Sequence, residues 1–138
     1  MAGSAHTSTS RLAEIGKGAK SRRCEIITTS WTGDDATGAV PDAAIEMHGY
    51  ILKVVTNPGS TAPTANYDIA LEDPEDNALD ALGGLLANRH TSTTEQVYPA
   101  VTGAATPIFV SGTYNVSVSN NSVNSATGRI IFYLVDEL

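Results

Sequence analysis

The sequence predicts an all-β fold, a β-sandwich or jelly roll of about seven strands with at most one short helix, and an extended N-terminal arm. Segments of alternating apolar and polar residues recur along residues 23–138, and clusters of Gly, Pro, Asn and Asp separate them. No long segment keeps a helical period. A chain of 138 residues fits one domain. We therefore divide it into an arm, residues 1–22, and a β-sandwich body, residues 23–138.

Two strands are predicted in the first half of the body. Arg23–Trp31 is rich in Ile and Thr, and a turn-rich stretch follows it. Ala44–Thr56 gives the longest strand signal. Gly49 within it predicts a bulge or a close approach of another backbone. Strict alternation in this strand places Tyr50, Leu52 and Val54 on one face and Ile51, Lys53 and Val55 on the other.

The second half alternates strands with turns. Tyr67–Leu71 has the pattern of a half-buried strand with Tyr67, Ile69 and Leu71 inward. Leu79, Leu82 and Leu86 then recur at helical spacing, which predicts a short helix over 78–88 that Gly83-Gly84 weakens. Further strands are predicted at Glu95–Tyr98, Pro107–Val110 and Gly112–Val118, and the nearly continuous apolar strand Arg129–Val135 is expected to be central or covered on both faces.

Charge is divided between the two ends of the chain. Five of the eight basic residues lie in residues 1–23 beside one acid, about +4, and the remaining three face fourteen acids, about −11. The arm shows no strand or helix pattern strong enough to predict an element. A basic polar arm on an acidic body predicts attachment to an acidic surface. The candidate binding residues are Arg11, Lys17, Lys20, Arg22 and Arg23.

Composition excludes several classes of protein. A single cysteine, Cys24, cannot form an intramolecular disulfide, which fits a reducing cytosol, and we expect it to be a small buried residue. No secretory h-region and no apolar run of membrane-spanning length is present, so no membrane partner is expected. The net charge of −7 argues against nucleic acid as a partner.

No residue pattern nominates an active site, a metal centre or a cofactor. The acids Glu72, Asp73, Glu75, Asp76 and Asp80 allow a Ca²⁺ loop or, as we prefer, a solvated loop at a helix N-terminus. The three histidines are far apart: His6 lies in the arm, His48 is expected to be half-buried in a strand, and His90 to end the helix. Trp31 is expected to anchor the core or an interface. We therefore expect no enzyme activity, no cofactor and no bound metal.

Three segments carry a resemblance to a protein family. They are Asn57-Pro58-Gly59 with Tyr67-Asp68-Ile69, then Leu82-Gly83-Gly84-Leu85-Leu86-Ala87-Asn88-Arg89, and the closing Gly128-Arg129-Ile130-Ile131-Phe132-Tyr133-Leu134. Together they resemble small virion structural proteins of tailed bacteriophages, over roughly residues 45–135. The resemblance implies a binding role with no active site, of the capsid decoration (cement) type. It does not extend to the arm, whose role depends on charge alone.

The leading hypothesis is a phage capsid decoration protein that stabilises the major capsid shell from outside. Its partners would be the major capsid protein and copies of itself, with a trimer as the first guess, and it would be made in the host cytoplasm and reside on the virion. A neck, tail or fibre-attachment protein of a phage virion is the first alternative. A carbohydrate- or ligand-binding β-sandwich module is the second, and its candidate aromatics are Trp31, Tyr50, Tyr98 and Tyr114.

Overall fold

The computed structural model describes residues 1–15, 22–79, 82 and 84–138, and side chains are described within these ranges except at 9–15 and 22. These residues form an all-β structure, as predicted, and none of them is helical. The strands are β1 (Ser4–Ile15), β2 (Arg22–Thr32), β3 (Ala43–Pro58), β4 (Asp68–Glu72), β5 (Glu95–Val97), β6 (Ala100–Val101), β7 (Ala104–Ala105), β8 (Ile108–Ser119) and β9 (Thr127–Val135).

Seven of these strands form one curled antiparallel sheet. The order is β1-β2-β9-β3-β8-β4, with β5 beside β3, and β6 and β7 form a separate two-stranded ribbon. The long strand β3 belongs to both halves of the sheet. Its first part, 43–51, pairs with β8, and its second part, 50–58, pairs with β9. The sheet thus has a β8-β4 side and a β9-β2-β1 side joined through β3.

A bulge in β3 lets the two sides face each other. Ile51 is buried, and so is Val54, which breaks the strict alternation predicted for this strand. The cause is a register shift against β9 between Ile51 and Lys53, which reverses the inward face of the strand. The Trp31 ring on β2 meets the ring of Tyr67 just before β4, at 5.8 Å between centroids. The two sides therefore enclose one core in a sandwich-like arrangement.

Two glycines allow close approaches that the core needs. Gly49 has φ +123°, and a Cβ there would overlap the carbonyl oxygen of Val135, so the predicted close backbone approach is confirmed. A Cβ on Gly128 would overlap the indole of Trp31, its neighbour across the β2–β9 pair. Gly49 thus lets β3 approach β9 closely, and Gly128 of β9 leaves room for the Trp31 side chain of β2.

Strand β9 lies at the centre of the sheet, between β2 and β3, as its apolar sequence predicted. Its side chains Ile130, Phe132 and Leu134 are buried in the core. The predicted inward residues Tyr67, Ile69 and Leu71 are buried, as is the alternating set Tyr114, Val116 and Val118 on β8. Alternation therefore identified the core face of these strands correctly.

The outer edge of β4 is covered by the segment 78–89. The Ile69 N–H donates to the Leu86 carbonyl at 3.0 Å, and the Leu79 N–H donates to the Leu71 carbonyl at 3.0 Å. The helix predicted over 78–88 is wrong, because none of its described residues is helical. Gly84 and Asn88 have positive φ, which a continuous helix excludes. The leucine spacing instead places Leu82 and Leu86 in the core, in turns beside β4.

Strand β1 forms the opposite edge of the sheet. It lies in residues 1–22, where the sequence showed no pattern strong enough to predict an element. Its register against β2 runs from Ser4 opposite Thr32 to Leu12 opposite Cys24. Small polar residues without alternation give no strand signal, so backbone pairing and the Thr7–Thr29 hydroxyl contact at 3.1 Å hold the strand. The side chains of residues 6–8 are exposed.

Candidate functional site

The β1–β2 pairing places three of the five predicted basic residues toward the same end of the two strands. By register Arg11 lies opposite Glu25, and Arg22 lies opposite Ile15. Arg23 follows at the start of β2 and is exposed. Lys17 and Lys20 lie outside the described residues, in the connection 16–21 between the two strands. We call the five residues Arg11, Lys17, Lys20, Arg22 and Arg23 the basic hairpin end.

Backbone contacts connect the hairpin to the end of β9. The Arg23 N–H donates to Oδ1 of Asp136 at 3.1 Å, and the Asp136 N–H donates to the Arg23 carbonyl at 3.3 Å. Cys24, the next residue, is half-buried rather than fully buried as expected. The start of β2 is therefore anchored to the end of β9 by hydrogen bonds between Arg23 and Asp136.

A polar cleft of about 430 Å³ lies beside this junction, where β3 separates from β9. Its charged groups have both signs, so it is not a simple anion or cation site. The lining residues are Arg23, Glu25, Glu46, His48, Leu134, Val135 and Asp136.

A hydrogen-bonded row of three side chains borders the cleft. The His48 ring contacts Ser111 Oγ through Nδ1 and Glu46 Oε1 through Nε2, both at 3.1 Å. The His48 side chain is 60% exposed and that of Glu46 is 73% exposed, so the predicted half-buried histidine is wrong. An imidazole between a hydroxyl and a carboxylate can transfer protons, but strong catalysis requires a site that excludes water. Here the row chiefly supports the pairing of β3 with β8.

The acidic residues 72–76 lie in a solvated turn, and none of the described residues after it is helical, although a helix was expected there. The backbone N–H groups of Asn77 and Glu75 donate to Asp73 Oδ1 at 2.9 Å each and hold the pKa of Asp73 below its usual value. Asp80 lies outside the described residues. Among the residues that are described, no three His, Cys, Asp or Glu side chains are grouped to hold a metal ion.

His6 and His90 lie away from this row. His6 is exposed on β1. His90 was expected to end a helix, but it closes a turn instead, because its Nδ1 accepts the N–H groups of Ser92 and Thr93 at 3.1 and 3.0 Å. The three histidines therefore do not share a site.

The aromatic residues divide into core and surface groups. Trp31 and Tyr114 are 2% and 5% exposed, which confirms Trp31 as a core anchor. Phe109 is 66% exposed and contacts Tyr50 across β8 and β3, at 5.5 Å between ring centroids. The sequence analysis missed Phe109 as a surface residue, although its position next to buried Val110 in an alternating strand was a usable signal.

A second groove of about 460 Å³ crosses the end of the β2-β9-β3 region. Its one charged residue is Arg129, which is exposed. The Asn57 amide is oriented so that both its oxygen and its nitrogen have hydrogen-bond partners. The oxygen accepts from Arg129 at 2.8 Å, and the nitrogen donates to the Thr94 hydroxyl at 3.1 Å. The arginine is thus held by a neighbour within the chain.

The sequence matches no known protein family and no curated protein. In the described part of the chain, no helix has the length and apolar character needed to cross a membrane. The candidate site thus depends on geometry and charge, and the basic hairpin end is the feature that separates most clearly from the rest of the molecule.

Proposed function

We propose that this chain is a capsid decoration (cement) protein of a tailed bacteriophage, which binds the outside of the major capsid shell through its basic hairpin end. The observation that carries the proposal is the division of charge. Five of the eight basic residues fall within residues 11–23, and the β1–β2 pairing places three of them, Arg11, Arg22 and Arg23, toward one end of the two strands, on a body with fourteen acids.

This division of charge suits attachment to an acidic surface. A basic end on an otherwise acidic domain orients the domain as it approaches such a surface, because the acidic body is repelled while the basic end is attracted. Each exposed ion pair contributes about 1 kcal/mol or less. Several pairs per copy, over many copies on one shell, give firm attachment through multivalency.

Attachment elsewhere on the virion uses the same chemistry. A neck, tail or fibre-attachment protein also needs a charged docking end. Copy number separates the two functions, because a decoration protein occupies sites over the whole lattice, whereas a neck or fibre protein occupies a single ring of sites.

The surface aromatics argue against a sugar-binding module. Trp31 and Tyr114 belong to the core and offer no sugar platform. Of the surface rings, Tyr50 and Phe109 meet edge to face at 63° and so form no flat stacking surface. These exposed rings are better suited to hydrophobic contact with a protein surface than to stacking against a sugar.

The test is binding to undecorated shells of the encoding phage. Removing residues 2–22 would strip β1 from β2 and expose a new sheet edge, so charge neutralisation is the cleaner change. The variant Arg22→Gln/Arg23→Gln is compared with Lys53→Gln/Arg129→Gln, which removes the same charge from the body. Bound copies are counted after sedimentation of the shells.

We expect wild type and the body variant to saturate the lattice equally, and the hairpin variant to bind about tenfold more weakly or worse. Raising the salt concentration should narrow the difference, because screening weakens exposed charge pairs. Equal binding by the two variants, or no binding by wild type, would refute the proposal.

A further inference from the structure

We infer that β1 is a pairing edge for a second copy of this chain, so that two β1 strands join antiparallel about a two-fold axis and the two sheets become continuous. This inference concerns the free protein in solution. It is independent of the proposed attachment to a shell, and either can fail without the other.

The two edges of the sheet differ in what covers them. Among the described residues, β1 hydrogen-bonds on one side only, to β2; β3 comes close to β1 as the sheet curls, but no described backbone group of β3 bonds to the strand. Alternate N–H and C=O groups of β1 therefore point away from the sheet. At the other edge, segment 78–89 occupies the outer side of β4. The free pairing capacity of the sheet thus lies along β1.

The sequence of β1 has none of the usual features that prevent edge pairing. Residues 4–10 read Ser-Ala-His-Thr-Ser-Thr-Ser, with no proline and no lysine, arginine or acid. The register with β2 is regular from Ser4 to Leu12, and its one shift comes after that. Natural edge strands are usually protected by charges, prolines or bulges, and this stretch has none of them.

Charge favours a second copy in the antiparallel direction. The end of β1 carries Arg11, and its start lies beside the turn that holds Asp34 and Asp35, since the Asp35 N–H donates to the Met1 carbonyl. Antiparallel pairing brings Arg11 of each copy to within two strand spacings, about 10 Å, of the acidic turn of the other copy. The Met1 amine pairs with Asp35, so the turn with its two aspartates keeps a net charge of about −1. Parallel pairing would instead bring two basic ends together.

The covered edge limits the assembly to two copies. A head-to-tail ring or fibre would require β1 of one copy to pair with β4 of the next. The Ile69 N–H and the Leu71 carbonyl of β4 are already bonded to Leu86 and Leu79 within the chain. Pairing of β1 with β1 joins two edges that are both unbonded, so it favours a dimer over the trimer first expected.

The experiment is analytical ultracentrifugation of the full chain from about 1 to about 100 μM. Wild type is compared with Thr7→Lys/Ser8→Lys, which places like charges near the two-fold axis on both faces of β1. The control Ser92→Lys/Thr93→Lys adds the same charge to an exposed turn away from both edges. Circular dichroism confirms that all three proteins are folded.

We expect wild type and the control to form dimers reversibly with rising concentration, and the edge variant to dimerise at least about tenfold more weakly. Wild type that stays monomeric throughout would overturn the inference and leave the edge to a strand of another protein. So would a dimer that the edge variant does not weaken, one that the control weakens equally, or growth of wild type into trimers or larger species.

Discussion

The two outer strands of the sheet, β1 and β4, are stabilised in different ways. Strand β4 buries Ile69 and Leu71 in the core and is covered along its outer side. Strand β1 exposes residues 6–8 and depends on backbone pairing with β2. Packing fixes β4 as part of the folded body, whereas β1 keeps pairing groups and charge available for partners. Of these two strands, β1 is therefore the one that can still pair with a partner.

The largest expected difference between the edges comes from side-chain truncation. Leu71→Ala should lower the free energy of unfolding by about 2–5 kcal/mol, because it leaves a cavity in the core. Ser8→Ala in β1 should change it by about 0.5 kcal/mol or less. Urea denaturation of the two variants measures both values. A cost at Ser8 equal to that at Leu71 would show that β1 is packed as β4 is.

The buried tyrosine that precedes β4 should make stability depend on alkaline pH. Burial raises the pKa of Tyr67 from 10.0 to about 12. The unfolded chain loses this proton near pH 10 while the folded chain retains it, so stability is full below pH 10 and falls as pH rises toward 12. The loss is about 2–3 kcal/mol.

The matched variant for this titration is Tyr67→Phe, which keeps the ring against Trp31 but has no proton to lose. Denaturation at a series of pH values from 9 to 12 compares the two proteins. The fall in the free energy of unfolding should be smaller in the variant by about 2–3 kcal/mol. Parallel pH profiles would show that Tyr67 is not buried in this way.

The contact between Gly128 and Trp31 joins β2, and with it the hairpin, to the body. Gly128→Val should destabilise the fold by about 1–3 kcal/mol, because its side chain would overlap the indole. Ser30→Val, on the exposed face of β2, should have an effect of about 0.5 kcal/mol or less. Thermal unfolding separates the two. Equal melting temperatures would mean that the indole does not lie against Gly128.

The smallest effect on stability is expected from the titration of two aspartates, one beside each outer strand. Backbone N–H donors, of Ala36 beside β1 and of Asn77 beside β4, lower the pKa of Asp34 and Asp73 respectively. Both carboxylates therefore stabilise the fold above their ordinary pKa of 3.8, and that stabilisation is lost as pH falls through the lowered values. NMR titration of the side-chain carbons should give both values below 3.8; an ordinary value at either would contradict its turn geometry.

Much of the body could be predicted because its strands bury alternate side chains. In the strands that hold Ile69, Val116 and Phe132, every second side chain is buried, as the alternating sequence of the first two predicted. Strand β1 gave no such signal, because its residues 4–10 are small or polar and do not alternate. The bulge near Lys53 was also hidden, since a register shift depends on the partner strand β9.

The candidate site was predictable in composition but not in arrangement. Counting charges identified the five basic residues, and only the pairing of β1 with β2 showed that Arg11, Arg22 and Arg23 lie toward the same end of two strands. The row of His48 and Ser111 joins residues far apart in the sequence, so spacing could not suggest it. Side chains that meet across a sheet become visible only when the register is known.

The most direct test of the β1 side as the binding side is hydrogen exchange of the chain, free and bound to undecorated shells at the same protein concentration. Our account predicts that binding slows exchange in residues 4–15 and 22–32 and leaves residues 67–72 unchanged. Slower exchange along 67–89 with no change in 4–15 would place the attachment at the opposite edge and contradict the account.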